Sequence, residues 1–341
     1  MALIDIIVPI YNISSDELFN CLAGLACQTI ADSMRITIVN DGGVDDNYAQ
    51  SIRRIGEREV QLITLNNNAG PGVARQQGLD NTDCEYLLFL DADDAFVDEF
   101  AIETLYEALV NNSEAVMSCG LCVQNRFDGE KIAQGYAMNS LHGKMYRRSF
   151  LNQYNIRFSS QYSYAHEDNG FNTACILSAQ GAEKVIEYIE KPIYLYTFNP
   201  EGLSHNIASD IFVDSFVGNI LDAQLNAIQQ IGYHPSIAFN IVENMVQLYY
   251  FYVEALYTQS QELIDLWTTN CKKYYTTIFK DVALTAPKEM LIGVYNMKTG
   301  RVYSEMYNLP FIPKISFIDF LNLIMYNEDN EESNIIMEKF L

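Results

Sequence analysis

The first hundred residues alternate four times between a short apolar run and a helix-spaced segment, and each run ends in polar side chains. "IDIIVPI" (4–10), "MRITIVNDGG" (34–43), "VQLITLN" (60–66) and "CEYLLFLDADD" (84–94) read as strands, rich in the apolar residues that fill strands covered on both faces. Between them, 15–29 carries Leu18, Cys21, Leu22 and Leu25 at helical spacing, with Ser14 or Ser15 placed to cap it. The segment 47–58 is a polar-faced helix, and 70–81 opens with a proline in its first turn. Repeats of this length predict an α/β fold with a Rossmann-like, mostly parallel sheet flanked by helices. Ligands collect beyond the carboxyl ends of such strands. Those ends hold Pro9, Tyr11 and Asn12, then Asn40 and Asp41, then Asn66, Asn67 and Asn68, then Asp91 and Asp93.

The rest of the chain has a different texture. A helix over 98–111 precedes strands near 114–123 and 130–137, joined by a turn at Asp128–Gly129. A helix over 165–181 ends at Gly181, and 183–198 is strand-like and returns toward the sheet. After about residue 206 the pattern is mainly helical (209–231, 236–260, 260–280), rich in Tyr and Asn. The expected division is therefore 1–205, itself split near residue 100, and a mainly α-helical region 206–341. The acidic stretch Glu328, Asp329, Glu331 and Glu332 reads as a solvated charge run.

Charge narrows the partners. With 21 Lys+Arg and 44 Asp+Glu the formal net charge is −23, a field that repels nucleic-acid backbones and anionic membrane surfaces. Arg53, Arg54 and Arg58, and Lys144, Arg147 and Arg148, are the short basic clusters that oppose it. Seven cysteines sit mostly in apolar runs, and Cys119–Cys122 is a CxxC without a second pair, so reduced buried thiols are expected rather than zinc. No segment has the ~18 consecutive apolar residues of a membrane span, and the first residues lack a basic leader, so a cytoplasmic protein is expected.

Two motifs carry chemistry. Asp91-Ala92-Asp93 at a strand end gathers hard oxygen ligands that suit Mg²⁺ or Mn²⁺ and leave room for phosphate oxygens. Strand alternation would place both carboxylates on one side, and Asp41 lies at a neighbouring strand end. The bland alternative is that these acids end a strand and cap the next helix. In "AHEDNGF", Glu167 and Asp168 open a helix, where acids also meet the helix dipole favourably.

Taken together, "VPIYN" (8–12), "IVNDGG" (38–43), "NNNAGPGVARQQGL" (66–79), "FLDADD" (89–94), "GKMYRRSFL" (143–151) and "HEDNGF" (166–171) resemble, in that order, the family 2 glycosyltransferases, inverting enzymes of the glycosyltransferase-A fold. The resemblance covers residues 3–205 and departs from the family's frequent DDGS at Asn40-Asp41-Gly42-Gly43. It implies a nucleotide-sugar half over 1–100, an acceptor half over 101–205, and sugar transfer from a nucleotide-diphosphate sugar, commonly a UDP-sugar. By the same resemblance Pro9, Tyr11 and Asn12 line the nucleoside pocket, Asp41 bonds the base, Arg75 lies along the nucleotide, and Asp91 with Ala92 approaches the ribose. Asp93 becomes the ligand of Mn²⁺ or Mg²⁺, with His205 as a further metal ligand, and Asp168 the general base with Glu167 positioning it. His142 and His166 flank the acceptor-side motifs, where sugar hydroxyls would lie. Acceptors consistent with this are a glycan, a protein, a lipid-linked glycan or a small molecule; nucleic acid fits poorly with the acidity. The helical region would shape the acceptor site or mediate homo-oligomerisation. The rivals are a nucleotide-binding scaffold of the same fold without turnover, and a nucleotidyltransferase. The latter typically needs a basic Gly-rich loop where this chain has "YNISSDE".

Overall fold

The computed structural model describes residues 2–44, 47–56, 59–125, 131–197, 210–305, 314–325 and 331–341. It divides into two compact units, Met1–His205 and Asn206–Leu341.

The first unit is built on a nine-stranded sheet. Its order runs β3 (Glu59–Thr64), β2 (Met34–Asn40), β1 (Ile4–Ile10), β4 (Tyr86–Phe89), β8 (Lys144–Arg147), β6 (Ala115–Asn125), β9 (Val185–Thr197), β5 (Ala95–Phe96), with β7 (Lys131–Gly135) beside β6. The first four strands are parallel, as the repeats predict. Beyond them the sheet is mixed: β8 runs antiparallel to β4 and β6, while β9 returns parallel to β6. Ile4, Ile6, Ile7 and Val8 are all fully buried, which explains why β1 is apolar without alternation.

Helices α1 (Ser15–Ala26), α2 (Tyr48–Arg54), α3 (Pro71–Asp80), α4 (Ala101–Asn111), α5 (Arg148–Gln153) and α6 (Glu167–Gly181) complete the unit. Ser14 caps α1 through a reciprocal capping box with Glu17. Leu18, Leu22 and Leu25 of α1 and Ile102, Leu105 and Leu109 of α4 join one core with Ile6 and Val8. On β1 the exception is Asp5, fully buried: it accepts from Arg35 (2.8 Å), from Arg148 (3.0 Å) and from the Cys84 N–H (2.8 Å). Breaking such a buried set from one side costs about 3–5 kcal/mol.

Two expectations are corrected here. The fourth strand ends at Phe89, and Asp91–Asp94 form a turn closed by the Asp94 N–H on the Asp91 carbonyl (3.0 Å), so strand alternation does not place their carboxylates. Lys144, Arg147 and Arg148 are not a surface patch. Lys144 is 1% exposed, Arg147 donates to the Ala115 and Leu109 carbonyls, and Arg148 joins Asp5 to the Cys84 and Leu79 carbonyls. Each cation satisfies main-chain carbonyls, those of the 136–142 loop for Lys144 and those at helix and strand ends for Arg147 and Arg148. Of the acidic run, Glu331 and Glu332 are exposed, as expected, and they open α13 (Glu331–Phe340), which buries Ile336. Glu328, Asp329, Arg58 and the Asp128–Gly129 turn lie outside the described residues.

The second unit is helical, as expected: α7 (Asp210–Ile231), α8 (Pro235–Thr258), α9 (Gln261–Tyr274), α10 (Lys280–Thr285), α11 (Lys288–Glu305), α12 (Phe317–Ile324) and α13, with a π-helical turn at Tyr275–Phe279. Its core contains a satisfied polar chain in which the Tyr274 hydroxyl donates to Gln224 and the Gln224 amide to Asn240. Lys339 of α13 donates to the Ala283, Leu284 and Ala286 carbonyls, satisfying the end of α10. Among the described residues no helix is long and apolar enough to cross a membrane.

Candidate active site

The carboxyl ends of β1, β2 and β4 share one rim with the first turns of α3 and α6. Asp41, just past β2, is 3% exposed, and its two oxygens accept from the Ala69 and Gly70 N–H groups at 2.8 Å each. Burial raises its carboxyl above the ordinary range, and those two N–H groups pull against the rise. The loop before α3 is thereby fastened to β2. From its other side Ser163 holds the same loop: its hydroxyl donates to the Ala69 carbonyl and its carbonyl accepts from the Gly72 N–H (2.9 Å).

The departure from DDGS has a local cause. Asn40 accepts from the Gly43 N–H and donates to the Gly43 carbonyl, both at 2.9 Å, a pair of roles that an ionised aspartate cannot fill. A Cβ at Gly43 would lie 2.7 Å from the Asn12 backbone nitrogen, so a serine does not fit. Gly42 has φ +73° and would place a Cβ 2.3 Å from the Asn67 carbonyl carbon. Asn12, itself at φ 52°, accepts from the Val44 N–H (3.0 Å), tying the first strand's loop to the second's. Pro9 is half-buried on β1, and Tyr11 stands out from the rim, 49% exposed.

The three aspartates of the 91–94 turn have different surroundings. Asp91 accepts from Arg75 Nη2 at 2.6 Å. Burial would raise its carboxyl, but Arg75 and His142 together hold it well below the usual carboxylate range. Asp94 is 5% exposed and accepts from the Tyr194 hydroxyl (2.8 Å) and the Thr197 N–H (2.7 Å), latching the end of β9 to the turn. Burial and the neighbouring Asp91 push it up to about 7. Asp93 is exposed and pairs with no cationic side chain among the described residues; partial enclosure and Asp91 raise it. Ala92 packs against the core beneath.

His142 lies on this side of the site rather than with the acceptor-side motifs. Its Nε2 is 3.6 Å from Asp91 and 3.7 Å from Asp94, and its ring stacks on Tyr194 (4.6 Å) and Tyr196 (5.1 Å). Burial lowers its pKa, but bonding to Asp91 and Cys122 and the charge of Asp94 carry it up to about 10. Lys144 holds the loop that presents it, donating to the carbonyls of Tyr136 (3.2 Å), Ala137 (2.8 Å), Ser140 (2.7 Å) and His142 itself (3.3 Å). The ligand atoms of Asp91, Asp94 and His142 lie within 4.8 Å of one another, oxygen and nitrogen donors that suit Mg²⁺ or Mn²⁺. His205 lies outside the described residues.

At the head of α6, Glu167 is 6% exposed and accepts from Arg75 Nη1 at 2.5 Å. Burial pushes its carboxyl up to about 7; Arg75 pulls it down and Asp168 adds to the rise. Asp168 is half-buried beside it, and His166, which precedes them at φ 56°, is lowered by burial. Arg75 thus brings together Asp91 and Glu167, which are 76 residues apart in the chain (167 − 91). Sequence reasoning placed Arg75, Asp91 and Glu167 in one site but missed this pairing, the Ser163 clamp and the position of His142. No periodicity encodes contacts between loops so far apart; the sole cue for His142 was its place just before "GKMYRR".

All seven cysteines are free, and six are buried. Cys119 and Cys122 face Tyr188 and Tyr194 of β9 in register and carry no second thiol pair among the described residues.

Comparison with known proteins gives the following. Residues 5–168 match the family described as Glycosyl transferase family 2. The chain is similar to glycosyltransferase GlyA of Streptococcus pneumoniae serotype 4, 26% identical over 254 residues, which are 66% of this chain and 34% of GlyA. It is also similar to the poly(ribitol-phosphate) beta-N-acetylglucosaminyltransferase TarP of Staphylococcus aureus, 24% identical over 258 residues, 70% of this chain and 75% of TarP. The chain thus spans about a third of the length of GlyA. Among solved structures, S. aureus TarS 1-349 in complex with UDP-GlcNAc superposes with a TM-score of 0.66 at 17% identity, covering 91% of this chain and 93% of that one. So wide a span takes in most of the helical unit as well as the sheet.

Proposed function

We propose, for a chain that belongs to glycosyl transferase family 2, that it moves a sugar with inversion from a nucleotide-diphosphate sugar, a UDP-sugar, to an acceptor hydroxyl. The observation that carries the reading is the division of roles in the 91–94 turn. Asp91 and Asp94 are bonded into the protein, while Asp93 is exposed and unpaired by any cation among the described residues. Of the cations of the site, Arg75 is engaged by Asp91 and Glu167, Lys144 by carbonyls, and His142 lies between Asp91 and Asp94. Asp93 is therefore the carboxylate free to hold a divalent cation; it stands in the same turn as Asp91 and Asp94, whose ligand atoms cluster with those of His142 in a group that does not include Asp93. Bound there, Mn²⁺ or Mg²⁺ would stabilise the charge that develops on the departing diphosphate.

The chain's own residues do the rest. Tyr11, Pro9 and Asn12 border the nucleoside, and Asp41 holds the loop before α3 while keeping lone pairs for the base. Asp168 takes the proton of the attacking hydroxyl as the new C1–O bond forms and the bond to the diphosphate breaks. The likeness to a structure titled as a UDP-GlcNAc complex supports a UDP-sugar donor.

The test is UDP release from UDP-sugars with Mn²⁺, alongside calorimetric UDP binding. Asp93→Asn is expected to abolish the metal-dependent part of UDP binding. Asp168→Asn is expected to keep UDP affinity within about threefold and to lose about 10²–10⁴ in kcat, the range for a general base. Unchanged turnover in Asp168→Asn rejects it as the base, and metal-independent UDP binding in the wild type rejects the role of Asp93.

A further inference from the structure

Arg75 is an enclosed cation that bridges two segments of the site. Its side chain is 7% exposed, that of Glu167 8%, and its Nε is buried with no hydrogen-bond partner. The guanidinium is therefore fixed by two bonds, one to Asp91 (2.6 Å) beyond β4 and one to Glu167 (2.5 Å) in the first turn of α6. The helix that carries it is pressed against the same region: a Cβ on Gly72 would lie 3.0 Å from the Glu167 Cβ, and one on Gly70 2.6 Å from the Ser163 carbonyl oxygen.

We propose that Arg75 is a positioning residue that acts through Glu167: its planar fork spans the 91–94 turn and the first turn of α6, and so sets where Asp168 stands relative to the bound donor. This rests on the glycosyltransferase reading above. Geometry favours this over a role in which Arg75 grips the nucleotide. Both of its terminal nitrogens already serve carboxylates, and each of those carboxylates belongs to a different segment of the site. A general base must lie within hydrogen-bond reach of the hydroxyl it deprotonates, and misplacement by about 1 Å costs on the order of 100-fold. Lysine carries a compact ammonium on a flexible stem and lacks the rigid planar fork that fixes both carboxylates at once.

The experiment compares wild type, Arg75→Lys, Glu167→Gln and the double variant, using a panel of UDP-sugars with water as acceptor. In that reaction the C1–O bond to the diphosphate breaks, a C1–O bond to water forms, and the water proton passes to Asp168. UDP release gives kcat and KM, and calorimetry gives the UDP Kd with and without Mn²⁺. Each single variant is expected to lose tenfold or more in kcat with the UDP Kd within threefold of wild type. The double variant is expected within threefold of the worse single one, since the two residues act as a unit. A tenfold rise in the UDP Kd of Arg75→Lys with kcat retained overturns the proposal and makes Arg75 a nucleotide contact. If Arg75→Lys fails to fold, Glu167→Gln decides: wild-type kcat in that variant overturns it. A wild type that binds UDP yet releases none from any UDP-sugar sinks the functional reading itself, a result separable from the others.

Discussion

At the scale of single residues, proximity of like charges is the main expense of this site, and His142 offsets part of it. Three aspartates share one four-residue turn, two of them largely enclosed. The imidazole held between Asp91 and Asp94 lets both remain near each other without a bound cation. The linkage sign follows from its raised pKa. A cation whose folded pKa rises from 6.5 to about 10 contributes stability that is fully present below pH 6.5 and is lost as pH rises through about 10. Asp94, raised to about 7, works in the same direction, because its charge becomes a burden as pH rises from its ordinary range through 7. In EDTA, His142→Gln should therefore be less stable than wild type by about 1–3 kcal/mol at pH 6, the usual cost of orphaning buried polar partners. The gap should close by pH 10.5. Urea midpoints at the two pH values measure it, and a gap that widens with pH would show that His142 is neutral in the folded protein.

At the scale of elements, loops rather than strands needed the most specific chemistry. β1, β2 and β4 were legible because a buried parallel strand is a run of apolar residues, and α1 because its cap and its stripe of Leu agree. The 136–142 loop had no such signature. It is held by Lys144, whose ammonium is buried at some cost, so that burial lowers its pKa, yet four carbonyls converge on it. Lys144→Met keeps the length of the side chain and removes every donor. It is expected to lower the urea midpoint by the equivalent of about 1–3 kcal/mol. Because the same loop presents His142, Mn²⁺-dependent UDP binding should weaken too; a variant with an unchanged midpoint and unchanged binding would make the carbonyl cage dispensable.

At the scale of the whole molecule, nucleotide binding should report on the first unit's stability. UDP with Mn²⁺ at ~100 times its Kd should add about 2.7 kcal/mol to unfolding of the unit that binds it. EDTA should remove that increment, and nucleoside diphosphates other than UDP should give less. A thermal-shift series checks this on the full chain, and no shift with any nucleoside diphosphate would favour the scaffold alternative. The net charge of −23 gives the same experiment a second use, since a cation-bridged diphosphate should bind despite the field while free phosphate should not.

Local side-chain pattern was enough to read the parallel half of the sheet, the rim on which the polar strand ends collect, the helical character of the described residues after 209, and a resemblance to a family through six ordered motifs. Each of these is written in local periodicity, in caps, or in short runs of residues. Tertiary structure decided what each charged group does. It turned Lys144, Arg147 and Arg148 from a surface patch into clamps on main-chain carbonyls, Lys144 and Arg148 buried and Arg147 half-buried, and set Asp91 and Asp94 inward with Asp93 out. It also joined Arg75 to Glu167 across 92 positions of chain. The reason is physical. A carboxylate's role depends on its partners and its burial, and both are fixed by which distant loops the sheet brings together, which no local pattern of side chains records.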